Sequence, residues 1–232
     1  MEYIKDLVSV MGDGARKTIN SIRFLPLLIL LQALVSVLHY FVFGLFVIRG
    51  GLFGGILAAL LRAALWSVYL YGLYHAVHGY KFGAQDLRAG TGAFFRDVYI
   101  AAFVLWIVQM LIGMIRIPYA GYLLLLVFSA LPETIYLGRY AGFDNIRDSF
   151  EFLRENGYIW IPLTILMILL LERVSIGVSL IFPWFSGLIP NLLILFIIHS
   201  VLFGLFALFR GQLFRILYGS SIRKRRFMGK FR

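Results

Sequence analysis

No cysteine occurs among the 232 residues, so disulfides, thiolate metal sites, thiol catalysis and S-palmitoylation are excluded together. Charge is also sparse, at 14% of residues, and acidic side chains are half as common as basic ones, 11 against 22. The four histidines are spread over three apolar stretches without the spacing of a metal site, and no phosphate-cradling glycine loop or zinc motif is present. Neither a metal nor a cofactor is expected.

What fills the chain is hydrocarbon. Hydrophobic residues make up 61% of it, gathered into apolar runs at 24–48, 52–80, 98–117, 119–137, 158–182 and 188–209, each close to the roughly 20 residues that a spanning helix requires. These runs predict an all-α polytopic membrane protein with six transmembrane helices arranged as three hairpins. A cytoplasmic amphipathic lead-in at 1–23, a membrane domain at 24–209 and a basic tail at 210–232 complete the division. The first run is about twice the length of a signal-peptide core and lacks a small-residue cleavage site, which argues against a cleaved leader.

Charge placement fixes the expected topology. Of the 22 Lys and Arg residues, 18 lie on one side of the spans: before the first, in the loops between spans two and three and spans four and five, and from Arg210 onward. Arg49, Arg116 and Arg173 fall on the other side, and Arg62 lies inside span two. The positive-inside rule then places both termini in the cytoplasm and the protein in the cell membrane. The formal charge of +11 follows from the same rule, so nucleic acid is not an expected partner.

The two long basic loops share a loose pattern. Asp86-Leu87-Arg88, Phe94-Phe95-Arg96-Asp97 and Tyr99-Ile100 in the first correspond to Asn145-Ile146-Arg147, Phe152-Leu153-Arg154-Glu155 and Tyr158-Ile159 in the second. Each reads as an interfacial amphipathic helix, with Asn156-Gly157 as a helix stop before span five. Arg88, Arg96, Arg147 and Arg154 are the candidate docking residues for a cytoplasmic partner, and simple connectors are the alternative. On the stretches 88–100 and 147–159 the layout resembles the six-helix membrane domain fused to glycerophosphodiester phosphodiesterases and the related YciC-like inner-membrane proteins. That resemblance implies a six-helix membrane fold with basic amphipathic lead-ins. It carries no catalytic residues with it.

Ionisable groups inside the runs must face a partner, a cavity or the interface. Depth counted at about 1.5 Å per residue predicts two pairs, Arg62 with Glu172 and Glu133 with His75 or His78. The alternatives are a snorkelling Arg62 and a span four merely kinked at Pro132-Glu133. Glu172-Arg173 also make span five either a strained full span or a short helix followed by a re-entrant piece reaching Pro190. Gln109 and His199 suit interhelical hydrogen bonds. Tyr69, Tyr71 and Tyr74 are candidates to line a cavity, whereas Tyr80, Trp66, Trp160 and Trp184 suit interfacial belts. Small residues at 51, 55, 59 and 63, with an overlapping copy at 50 and 54, predict close packing of span two.

Catalysis finds little support. Glu133 has no second carboxylate to share a paired-glutamate mechanism, and Ser200 adjoins His199 on one helix without facing it. Two functions remain as expectations. The first is a permease-like subunit that handles an amphipathic or lipid-like molecule together with a cytoplasmic ATPase or another membrane subunit. The second is a scaffold that organises lipids or membrane proteins, with Arg223, Lys224, Arg225 and Arg226 on anionic headgroups.

Overall fold

The computed structural model describes residues 2–42, 51–115, 119–181 and 188–220, which are helical with short turns and no strand. In chain order the helices are α1 (Glu2–Ser21), α2 (Leu25–Val42), α3 (Gly51–His78), α4 (Ala84–Ala93), α5 (Phe95–Ile115), α6 (Ala120–Val127), α7 (Leu131–Leu137), α8 (Asp144–Ile181) and α9 (Leu188–Leu217), with a single 3-10 turn at Ile22–Phe24 joining α1 to α2. Six stretches of the described chain are long and apolar enough to cross a membrane. The protein is an all-α integral membrane protein.

Close helix approach depends on a few small residues. α2 buries Leu28, Leu31 and Val35 at helical spacing, and Leu31 sits where a side chain on Gly72 of α3 would be. α9 admits Leu25 of α2 at Gly204, and it meets α3 and α7 at Gly211, where an added Cβ would come 2.6 Å from both the Tyr136 hydroxyl and Val77 Cγ2. Without a hydrophobic force between helices in lipid, such approaches supply the packing. The expected small-residue ridge on α3 holds in part: Ala63, and Gly54 of the overlapping copy, are buried, whereas Ala59 is exposed and Ala58 is buried in its place. The longer stripe of Tyr69, Leu73 and Ala76, all buried, sets the rotation, and positions 54 and 58 continue it.

Four expectations about segment ends are corrected. Of the two alternatives for span five, the full span is the one found, since α8 runs unbroken through Glu172-Arg173 to Ile181, and Asn156-Gly157 does not stop it. Phe152, Asn156, Ile159, Trp160 and Leu163 are all buried at i, i+4, i+7, i+8 and i+11, so one apolar stripe crosses the predicted stop and overrides it. Span four is the broken one, with a turn at 128–130 between α6 and α7. Pro132 falls in the first turn of α7, where its missing N–H costs no helical bond. The basic tail starts later than residue 210, since α9 continues to Leu217.

The fourth correction concerns the amphipathic helices. They are packed onto the bundle along one side, with Val8, Ile19, Leu87 and Phe150 left exposed. α1 packs Val10, Gly14 and Thr18 onto α9, with Gly14 against Phe209 and Leu213. The first turns of α8 bury Phe152 between Trp160 and Phe214, at ring separations of 5.0 and 4.6 Å. α4 runs back along α3: Ser67 Oγ donates to the Gly90 carbonyl at 2.6 Å and accepts from the Phe94 N–H at 2.9 Å. The basic end is thus built of helix extensions packed against the bundle. Residues 182–187 and 221–232, which include Trp184, most of the predicted gate and the lipid-headgroup candidates Arg223, Lys224, Arg225 and Arg226, lie outside the described residues, as do Arg49 and Arg116.

Gly211→Ala tests this packing. Its new methyl has to displace a β-branched side chain and a tyrosine together, so a loss of about 1–3 kcal/mol is expected, read as a lower unfolding midpoint in detergent; an unchanged midpoint contradicts the close approach.

Candidate functional site

The turn at 128–130 and the short α7 aim Glu133 at α9, where Arg210 meets it. Arg210 Nη2 lies 2.8 Å from Glu133 Oε2, with side-chain exposures of 10% and 5%. The same nitrogen donates to the Ser129 carbonyl, an acceptor released by the break between α6 and α7. The guanidinium also stacks over the Trp160 ring, 4.9 Å from its centroid. An ion pair this deeply buried is tolerated only where geometry is good and further polar groups engage the same charges. The broken span supplies the free carbonyl, and the continuous α8 supplies the aromatic face.

Next to Arg210 opens a cavity of about 470 Å³ between α3, α5, α6, α7 and α8. Its floor is buried and apolar, formed by residues such as Leu70, Val98, Ala101 and Leu131. Its rim is exposed at Ala102 and Gln109 of α5, Gly121 and Leu125 of α6, and Pro132 of α7. The opening therefore faces the outside of the bundle between α5 and α6. Arg210, Ser129 and Thr164 are the polar residues at its inner wall, and Thr164 Oγ1 is turned away to the Trp160 carbonyl at 2.9 Å.

Neither predicted intramembrane pair forms. Glu133 engages Arg210 in place of His75 or His78. The Nδ1 atoms of His75 and His78 lie 2.9 Å from the Tyr71 and Tyr74 carbonyls, and His75 Nε2 faces Asp86 of α4 at 3.8 Å. The direction differs from the expectation: α3 turns His75 toward α4, while α7 turns Glu133 toward α9. Arg62 and Glu172 do not meet either. Glu172 accepts a hydrogen bond from the Tyr122 hydroxyl of α6 at 2.9 Å, and the cavity separates α3 from α8.

Trp160 is a buried core residue rather than a belt residue. Trp66 and Gln109 line the cavity, and Tyr69 is buried in the core beside Phe203 of α9. The docking candidates Arg88, Arg96, Arg147 and Arg154 are all exposed at the basic end. Two of them have acidic neighbours: Arg96 lies 3.6 Å from Asp97, and Arg147 lies 3.2 Å from Glu151. Among the described residues no cluster of His, Asp and Glu is arranged to hold a metal.

Arg210 is the residue that sequence reasoning missed. A cation just after an apolar run reads as a topology signal, and it was grouped with the tail. The signal against that reading was periodicity, since Phe209, Leu213, Phe214 and Leu217 continue the helical apolar stripe past Arg210. Tyr218 closes the same region, donating to Asp148 Oδ2 at 2.7 Å and accepting from the Arg139 N–H at 3.2 Å. Burial, and then the bond to Asp148, push its phenol up to about 12.

Six apolar helices, with a buried ion pair and an outward-opening cavity among them, define a polytopic α-helical membrane protein. No protein-family model, no curated protein and no solved structure matches the chain.

Removing either member of the ion pair leaves the other charge buried alone. Glu133→Leu and Arg210→Met are each expected to cost about 3–5 kcal/mol, and the double variant much less than their sum. Additive losses in detergent unfolding contradict the pairing. Tyr218 predicts an alkaline limit. Because its folded pKa is raised above the usual 10.0, its contribution is complete below about pH 10 and fades as pH rises toward about 12; Tyr218→Phe removes that part of the alkaline unfolding profile, and an unchanged profile contradicts it.

Proposed function

We propose that the protein handles an amphipathic, lipid-like molecule in the membrane, taking its apolar part into the cavity between α5 and α6. The observation that carries this reading is the cavity itself: about 470 Å³, apolar on its floor, open to the outside of the bundle along an exposed rim, and bounded at its inner wall by Arg210, the partner of Glu133. In a soluble protein such a cleft would be a ligand pocket. In a bilayer its natural occupant is an acyl or isoprenoid chain.

Transport or translocation is the activity that best suits this site, with the protein as a permease-like subunit. A static storage cleft needs no ionic lock beside it, whereas a buried pair that both closes the cavity and ties α7 to α9 can couple occupancy to helix movement. On this reading the basic end faces the cytoplasm by the positive-inside rule, and the protein resides in the cell membrane. The exposed arginines at positions 88, 96, 147 and 154 would dock a cytoplasmic ATPase or another subunit. The reading is non-enzymatic.

A scaffold function is favoured by a different observation. The basic end is compact, with α1, α4 and the start of α8 folded onto the bundle, and it presents a rigid cationic face suited to holding anionic lipid or a partner.

Filling the cavity separates the two. In Ala102→Phe, a phenyl ring grows from the rim into the opening with little disturbance of the buried floor. The transport reading expects this variant to lose a co-purifying lipid, measured by native mass spectrometry after mild extraction, with its unfolding midpoint nearly unchanged. If wild type and variant retain the same lipids in the same amounts, the cavity is not the site.

A further inference from the structure

The wall of the outward-opening cavity changes along its length. On α5, which runs away from the basic end, it passes from Val98 and Ala101, both buried, through the half-buried Leu105 to the exposed Gln109. α3 runs the other way, and the order reverses with it: Trp66 is 36% exposed and Leu70, nearer the basic end, 4%. On α8, Thr164 is buried, and Ile168, one turn further from the basic end, is half-buried. In span four Gly121 and Leu125 are exposed and Leu124 between them is buried, whereas Leu131 and Ile135, toward the basic end, are both buried. Ala102 and Pro132 are the exposed residues nearer the basic end, and they belong to the lateral lip. The cavity is therefore closed by apolar side chains toward the basic end and opens toward the other.

Polar groups follow the same gradient. Those deep in the wall are already engaged. Ser129 Oγ donates to the Leu126 carbonyl at 2.7 Å and Thr164 Oγ1 to the Trp160 carbonyl at 2.9 Å, and Arg210 is paired with Glu133. At the open end stands Gln109, whose amide makes no hydrogen bond with another described residue. An amide at membrane depth costs free energy until it finds a partner, and this one offers both a donor and an acceptor. A headgroup placed at the closed end would instead be buried against Val98, Leu131 and Ile135. Gln109 lies 11 residues beyond Val98, about 16 Å along the helix. That is roughly half of a hydrocarbon core of about 30 Å, the depth of one leaflet's chains.

We propose that the cavity is loaded from the leaflet opposite the basic end by a glycerolipid. Its chain end points toward Leu131 and Ile135, and an ester or hydroxyl group of its glycerol region hydrogen-bonds Gln109. On the positive-inside orientation this is the outer leaflet. The proposal rests on the reading that the cavity takes a lipid chain, and adds the chain's direction and the residue that recognises its polar end.

The test places the full chain in lipid nanodiscs with one of two phosphatidylglycerols, carrying a diazirine either beside the ester or at the chain end, and maps the adducts by mass spectrometry after irradiation. The chain-end probe is expected to label Leu131 and Ile135, which are buried and reached only through the cavity. The ester-side probe is expected to label Gln109 and Gly121. The reverse order, or equal labelling of Leu131 and Ile135 by both probes, overturns the direction of loading and leaves the cavity a lipid site. No adduct on Leu131 or Ile135 from either probe overturns the lipid-chain reading as well. A second arm titrates the ester-side probe onto the chain in neutral detergent. Gln109→Leu, similar in size and more apolar, is expected to need about three- to tenfold more probe for half-saturation. Equal or tighter saturation overturns the hydrogen bond assigned to Gln109.

Discussion

An arginine and a glutamate taken out of water together set the terms for the basic half of this molecule. Either charge alone in hydrocarbon costs at least about 2.5 kcal/mol on insertion scales, so Arg210 and Glu133 must remain in contact, and α9 and α7 with them. The remaining donors and faces of Arg210 need partners as well. One is the Ser129 carbonyl, which exists as a free acceptor because span four breaks at 128–130. Another is the Trp160 ring, which lies at that depth because α8 runs through Asn156-Gly157 without stopping. Two departures from regular expectation, a broken span and an unbroken one, thus both bring contacts to a single buried cation.

The same pair organises the space around it. Toward the membrane lies the apolar cavity, and one turn further along α7 and α9 lies a second, polar pocket bounded by Tyr136 and Arg215. Ile135 faces the first and Tyr136 the second, so adjacent residues on α7 serve cavities of opposite chemistry. Gly211, beside Arg210, lets the Tyr136 phenol lie against α9.

How much of this could be read from the chain follows from what each signal measures. Length and apolarity measure transfer to lipid, and all six spans were legible because nothing else in the sequence competes with runs of that kind. Counting residues from the charged ends measures depth along a span and nothing else. Depth is one coordinate of three. His75 and Arg210 both lie toward the basic end, and only helix rotation decides which of them meets Glu133. Rotation is set by packing, as with Gly54 and Ala58 against Ala59. Arg210 itself was hidden by its position, because a cation that follows an apolar run serves topology and structure with the same residue type. Asn156-Gly157 misled for a comparable reason: a local stop signal worth a fraction of a kcal/mol to about one cannot outweigh a buried stripe that includes Ile159 and Trp160. The cavity was not legible at all, since it is a gap between α5 and α6 whose walls, residue by residue, look like ordinary lipid-facing helix.

The central claim is that a lipid-like chain occupies that gap. Photo-crosslinking tests it most directly: a phospholipid carrying a diazirine on its acyl chain is reconstituted with the protein, irradiated, and the adducts are mapped by mass spectrometry. The account predicts saturable adducts, competed by unlabelled lipid, on Ala102, Leu105 and Leu125 around the cavity, above a uniform background on outward residues such as Phe103 and Met114. Labelling that is no stronger at the cavity than at those outward positions would contradict it.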